Sequence, residues 1–153
     1  MTMEVGFTGT RRGMTAAQKI VTFDLLRQID DTFQETIVVH HGCCIGSDEE
    51  FAEKCDSMGF DVIGHPPTVT SFMSRRATDL SILRAPAPYA IRNQAIVDAS
   101  GVMIATPRES QPQPVGGTWM TIRMALRALR ASKLVRLHVI GPDGQELDHA
   151  RWR

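Results

Sequence analysis

The stretch IVVHHGCCIGSDEEFAEKCDSMGFDVIG, residues 37–64, decides the fold. Ile37-Val38-Val39 is β-branched, reads as a strand, and leads through His40-His41-Gly42 into a loop. Ser47 reads as a helix N-cap with Glu50 three residues on as its capping-box partner, and the helix extends to about Met58. Gly59 closes that helix and Phe60-Asp61-Val62-Ile63-Gly64 resumes as a strand. Toward the N-terminus, Met3 to Thr8 is an apolar run ending in the turn Gly6-Phe7-Thr8-Gly9-Thr10. Thr15 then caps a helix with Ile20, Phe23, Leu26 and Ile29 at helical spacing. The opening order is therefore βαβαβ, the signature of a parallel sheet covered on both faces.

Toward the C-terminus, His65-Pro66-Pro67 begins an irregular stretch to about Pro88, and a loop of that length in a compact domain is functional or mobile. Pro88-Tyr89 opens a helix to about Ala99, and Gly101-Val102-Met103-Ile104-Ala105 is the fourth strand. Thr106 to Val115 carries three prolines without periodicity and delivers the chain to Gly116-Gly117-Thr118, from which a helix runs to about Ala131. Leu134 to Ile140 is the fifth strand and Gly141-Pro142-Asp143-Gly144 a turn, with a polar tail over 143–153 that is either frayed or used between subunits. The reading is one α/β domain over residues 1–153, Rossmann-like, with a mostly parallel sheet of about five strands and helices on both faces.

Bulk composition narrows the function. Seventeen Lys+Arg balance seventeen Asp+Glu, so no long-range field draws in DNA, RNA or an anionic membrane, and nucleic acid is disfavoured as a partner. Arg123, Arg127, Arg130, Lys133 and Arg136 recur near helical spacing, best read as a solvated basic face. Cys43, Cys44 and Cys55 are odd in number and lack C-x-x-C spacing, which argues against a disulfide framework and against a metal site. No apolar stretch approaches the length of a membrane span and no leader pattern opens the chain, so a cytoplasmic protein is expected.

Ligands of open parallel sheets sit outside the carboxyl ends of the strands. That rule selects Gly6 to Arg12, His41 to Asp48, the segment from His65, and Thr106 to Thr118. Glycine lets backbone N–H groups approach phosphate oxygens, and a following helix dipole favours the negative charge. Gly116-Gly117-Thr118 offers both at a helix start, although a Gly-Gly pair also makes a plain tight turn. Arg11 or Arg12 adds a charge-assisted contact beside Gly9. No G-x-x-x-x-G-K-[ST] loop occurs. Adjacent His40 and His41 point to opposite faces of a strand, so at most one faces a site. Cys43 and Cys44 read as small packing residues rather than nucleophiles, and Trp119 as a base-stacking, core or subunit-contact residue.

In order and spacing, Gly6-Phe7-Thr8-Gly9-Thr10-Arg11, His41-Gly42-Cys43-Cys44-Ile45-Gly46-Ser47-Asp48, Arg92-Asn93-Gln94-Ala95-Ile96-Val97-Asp98 and Gly116-Gly117-Thr118 resemble the SLOG superfamily. That group includes LOG-type phosphoribohydrolases, DprA-type DNA-processing proteins and small nucleotide-sensing domains, some encoded by phages and defence islands. The resemblance spans about residues 4–141 and implies a nucleotide or nucleotide-derived ligand across the strand ends, with no separate cofactor. It further implies a ligand-binding set of Thr8, Gly9, Thr10, Arg11, Gly42, Gly46, Asp48, Arg92, Asn93, Gly116, Gly117 and Thr118. In that set Gly116 to Thr118 hold phosphate, Asp48 reaches a ribose hydroxyl or serves as a helix-start charge, and Arg92 faces the ligand. Asp48 and Arg92 are the catalytic candidates, and a homo-oligomer is expected because pockets of this group are often completed by a neighbour.

The chain departs from the LOG pattern P-G-G-x-G-T-x-x-E, since the position three after Thr118 is Thr121 and the next charge is Arg123. Neither residue stabilises an oxocarbenium-like sugar or activates water at neutral pH. Three readings follow: a module that senses, carries or sequesters the ligand; an N-glycosyl-bond hydrolase or transferase using Asp48, Glu49 or Asp98; and a DprA-like DNA-processing module.

Overall fold

The computed structural model describes residues 2–152; Met1 and Arg153, the ends of the expected 1–153 domain and 143–153 tail, lie outside the described residues. The elements in chain order are β1 (Thr2–Gly9), α1 (Ala16–Thr32), β2 (Thr36–His41), α2 (Ser47–Ser57), β3 (Asp61–Gly64), α3 (Arg75–Asp79), β4 (Ile82–Leu83), α4 (Tyr89–Ala99), β5 (Val102–Thr106), α5 (Gly117–Arg130) and β6 (Arg136–Val139). They build a sheet in the order β4-β3-β2-β1-β5-β6, every neighbouring pair parallel. The chain steps from β1 toward β4 on one side and resumes at β5 on the other, so the order reverses beside β1.

Strand alternation sends consecutive side chains to two separate cores. Val5, Phe7, Val39, Val62 and Ile104 pack under α1 and α2, with Phe7 stacked on Phe51 at 4.2 Å between ring centroids. Met103, Ala105, Leu137 and Val139 pack under α4 and α5 with Ile96, Trp119 and Ile122. Both faces of the central strands are thereby dry, which explains their near-continuous apolar runs.

Three local expectations change. The sheet has six strands, because the stretch read as irregular over 65–88 contains α3 and the two-residue edge strand β4. Ile82-Leu83 is too short to carry an alternation signal, and its pairing with Ile63-Gly64 alone makes it a strand. The α2 capping box does not form: Gly46 is the N-cap, while Ser47 Oγ donates to the Thr10 carbonyl at 2.7 Å. Glu50 instead accepts from the Met14 amide at 2.7 Å and pairs with Lys19 at 2.7 Å. A tertiary donor outcompetes the local one. The reciprocal box forms at α1, between Thr15 and Gln18. Finally, the tail folds onto its own chain: Trp152 sets its ring edge-on to Trp119 at 5.5 Å and accepts from Arg130 through its carbonyl.

Among the described residues, no helix is long and apolar enough to cross a membrane.

Candidate functional site

A cavity of about 510 Å³ opens at the carboxyl ends of β1, β2 and β5, beside the starts of α4 and α5. It sits where the strand order reverses, the expected place for a ligand in this architecture, and its size is that of a small-molecule site. Thr8, Gly9, Thr10, Arg11, Gly42, Asp48, Arg92, Asn93, Gly116, Gly117 and Thr118 all line it. Gly46, from the same sequence-derived set, does not.

The glycines in and beside the cavity face different surroundings. Gly46 adopts φ +81°, and a Cβ there would lie 2.1 Å from the Arg11 carbonyl oxygen. The turn it makes presses the β2–α2 loop against the β1–α1 loop, where the Ser47 amide donates to the Thr10 carbonyl at 3.1 Å. A Cβ on Gly42 would lie 2.5 Å from Arg92 Nη1, and one on Gly9 2.4 Å from Thr106 Oγ1. Gly116 and Gly117, by contrast, have no atom within 4 Å of where a Cβ would be. Gly116 is the N-cap of α5 and supplies no capping side chain, and the first turn carries no acid. The amides of that turn and the positive end of the dipole are left for a partner from outside the helix.

Arg92 lies on α4 and is buried, with only 6% of its surface exposed. Its Nη1 donates to the carbonyls of Gly42 and, at 3.2 Å, His65, and its Nε donates to Asn93 Oδ1 at 2.8 Å. Three of its donor contacts therefore go to the protein, and Arg92 braces the β2–α2 loop as well as lining the cavity. Asp48, at the start of α2, is also buried. Its Oδ2 accepts from the Cys44 amide at 3.1 Å. Burial raises its carboxyl to about 6, with the Arg92 charge and the amides of Cys44 and Gly42 opposing the rise.

The Cys43 and Cys44 thiols and the His41 imidazole beside this loop are held neutral. Burial and the Asp48 charge push the Cys43 thiol up to about 12 and raise that of Cys44. Such thiols are packing groups at neutral pH. His41 accepts from the Cys43 amide through Nδ1 at 3.0 Å, and its Nε2 lies 2.7 Å from Ser81 Oγ, which donates onward to the Ala77 carbonyl at 2.6 Å. This chain requires the Nε2–H tautomer and burial lowers the imidazole to about 3. His40 points to the other face, toward His65 at 2.9 Å and Glu4 at 2.7 Å. Neither histidine lines the cavity.

Several lining residues carried no sequence signal. Arg108 and Glu109 come from the proline-rich segment after β5, and Tyr89 from the first residue of α4. Their only clue was position just beyond a strand's carboxyl end or at a helix start. Glu109 Oε1 accepts from Trp119 Nε1 at 2.8 Å, and Trp119 is buried, so the indole is core and cavity wall at once. Tyr89 Oη is buried without a hydrogen-bond partner. The alternative carboxylates Glu49 and Asp98 lie off the cavity, bonded to Ser74 and Gln94 at 2.9 Å each. Arg11 lies 3.8 Å over the ring of Phe72, which ties the 65–88 segment to the site. Arg11, Arg12, Arg92 and Arg108 outnumber the two lining carboxylates, Asp48 and Glu109, and give the cavity a positive balance. Among the described residues, no cluster of three His, Cys, Asp or Glu side chains is arranged to hold a metal ion.

No protein-family model and no curated protein matches the chain. Among solved structures it is similar to the X-ray structure of TM1055, a structural-genomics target, with a TM-score of 0.57 over 80% of this chain and 68% of that one. The fold is Rossmann-like. At 15% identity the likeness speaks for the backbone arrangement and for nothing bound to it.

Proposed function

We propose that the protein binds a phosphorylated nucleotide or nucleotide-derived small molecule across the ends of β1, β2 and β5, as a sensor, carrier or sequestering protein of the SLOG type. The observation that carries this reading is the uncapped start of α5, where Gly116 and Gly117 face open space inside a cavity with an excess of arginine. An anion there meets free amides, the helix dipole and the Thr118 hydroxyl together. A phosphate contact at Gly116 to Thr118 leaves the rest of the cavity wall, with Thr8, Gly9, Thr10, Asp48 and Glu109, for the sugar and base.

A second reading, cleavage or transfer of an N-glycosyl bond, is favoured by one observation. Asp48 and Glu109 bring two carboxyl groups to one cavity, and Asp48 titrates near pH 6, within reach of an acid's role. A thermal-shift screen against nucleoside monophosphates, NAD and its ADP-ribose fragments, and cyclic di- and trinucleotides tests both, with each hit chromatographed for breakdown. A ligand at about 100 times its dissociation constant adds about 2.7 kcal/mol to stability. A shift with the ligand intact supports the binding module, a shift with free base appearing supports the enzyme, and no shift across the panel sinks the nucleotide site.

Self-association belongs to the same proposal. Ile82 and Leu83 on the edge strand β4 and Ile91 on α4 are exposed apolar side chains that a second copy would cover. Three buried free thiols suit a reducing, cytoplasmic compartment.

A further inference from the structure

Glu109 stands out on the cavity wall. Its Oε1 holds one hydrogen bond, from Trp119 Nε1 at 2.8 Å. An ionised carboxylate offers about four lone-pair sites, so most of its acceptor capacity is unused. Arg11, Arg12 and Arg108 line the same cavity, yet among the described residues no cationic nitrogen comes within 4.0 Å of Glu109. Trp119, in contrast, is rigidly placed: it sits in the first turn of α5, is 3% exposed, and is buttressed by Trp152. A partly buried carboxylate oriented by a fixed indole and left without a cation is a preorganised acceptor.

We infer that Glu109, positioned by Trp119, reads a pair of adjacent hydrogen-bond donors on the ligand, either a ribose 2′,3′-diol or the N1–H and 2-amino edge of guanine. This rests on the nucleotide reading and deepens it by assigning the end of the ligand that carries no phosphate. A carboxylate repels phosphate and accepts two neighbouring N–H or O–H groups in its own plane. The arginines and the α5 amides take the anion, while Glu109 takes the donors. The Asp48 carboxylate is already engaged by the Cys44 amide on the opposite loop, which leaves Glu109 as the freer acceptor.

The test is a titration of wild type, Glu109→Gln and Trp119→Phe with AMP, 2′-deoxy-AMP, GMP and IMP, and with inorganic pyrophosphate as an anion-only probe. Glutamine keeps the shape and replaces one acceptor by a donor. Glu109→Gln is expected to weaken the preferred nucleotide by about tenfold or more, the worth of a charge-assisted hydrogen bond, while pyrophosphate binds as well as before or better. Trp119→Phe, which frees the carboxylate without removing it, is expected to weaken the nucleotide less than Glu109→Gln does. Loss of the AMP over 2′-deoxy-AMP preference in Glu109→Gln identifies the diol; loss of the GMP over IMP preference identifies the guanine edge. Wild-type binding with both preferences and the affinity unchanged in Glu109→Gln overturns the role of Glu109 and leaves the nucleotide site standing. Failure of wild type to bind any nucleotide or pyrophosphate overturns both. Unfolding midpoints of the variants matching wild type show that each change acts on the ligand.

Discussion

Two glycine-bearing loops meet at one cavity and use glycine for opposite ends. In the β2–α2 loop, Gly42 and Gly46 are small because protein atoms occupy the space a side chain would take: Arg92 Nη1 at one, the Arg11 carbonyl at the other. In the β5–α5 turn, Gly116 and Gly117 have empty space around them. The first loop is closed inward, and its polar groups serve one another: the Gly42 carbonyl takes Arg92, the Cys44 amide takes Asp48, and the Thr10 carbonyl takes Ser47. The second is open outward, with amides that serve nothing in the protein. Glycine content alone does not distinguish a loop packed against its neighbours from a loop that opens into the cavity; the neighbouring atoms do.

The largest expected effect falls in the inward loop. Gly46→Ala must place a methyl 2.1 Å from a backbone oxygen at φ +81°, so both sterics and conformation oppose it. Chemical denaturation is expected to show a loss of at least about 4 kcal/mol, and a loss under about 1 kcal/mol would break the contrast between the loops. Next, Arg92→Ala leaves the Gly42 and His65 carbonyls and buried Asp48 without their cation. We expect it to cost about 3 kcal/mol of stability. A variant of native stability that has merely lost ligand affinity would show that Arg92 belongs to the ligand more than to the loop.

In the outward loop the pattern inverts. Gly117→Asp sits in free space at a helix start, so its unfolding free energy is expected to stay within about 0.5 kcal/mol of wild type. Its carboxylate occupies the anion position, and nucleotide affinity measured by calorimetry is expected to fall by about 100-fold, or about 2.7 kcal/mol. Unchanged affinity would remove this turn from the site.

Acid titration probes the inward loop again. The Asp48 value of about 6 lies above its ordinary 3.8, so its contribution to stability is full below pH 3.8 and is lost as pH rises through 6. His41 at about 3 and His65 at about 4 lie below 6.5; their contributions are full above pH 6.5 and are lost as pH falls through 4 and 3. Between pH 6 and 4 the two imidazoles outweigh the one carboxyl, and wild type loses stability on acidification. Asp48→Asn removes the opposing group. Its urea midpoint is expected to fall more steeply over that window, by about one further proton or about 1.4 kcal/mol per pH unit. Parallel pH profiles for the two proteins would mean that Asp48 titrates normally.

The smallest effect is the cleanest separation of the loops: Gly117→Ala, with open space and no positive φ, is expected to change stability by no more than about 1 kcal/mol, and in the favourable direction.

Much of this was legible in the sequence. The βαβ pattern of 37–64, the Gly59 stop and the strand-end rule pointed to the place where the cavity opens, and the resemblance to the SLOG superfamily named the twelve residues of which eleven line it. Local signals sufficed there because caps, strand periodicity and helix periodicity are properties of neighbouring residues. The α2 cap failed for the complementary reason: Glu50 matches the capping-box spacing, yet the Met14 amide and Lys19 reach it first. Ile82-Leu83 is a strand only because β3 lies beside it. Glu109 and Tyr89 enter the site from stretches that have no motif.

By itself the sequence determined a parallel α/β fold and the strand ends at which the cavity opens, since hydrophobic spacing and turn residues act over a few positions. Tertiary structure alone decided which glycines face open space and which face Arg11 and Arg92, and that Glu109 lines the cavity with a single hydrogen bond from Trp119. It also decided that Gln18 joins Pro107 and Ile140 across 89 and 122 residues. Those outcomes depend on distances between groups remote in the chain, and such distances exist only once the two cores have closed on the sheet.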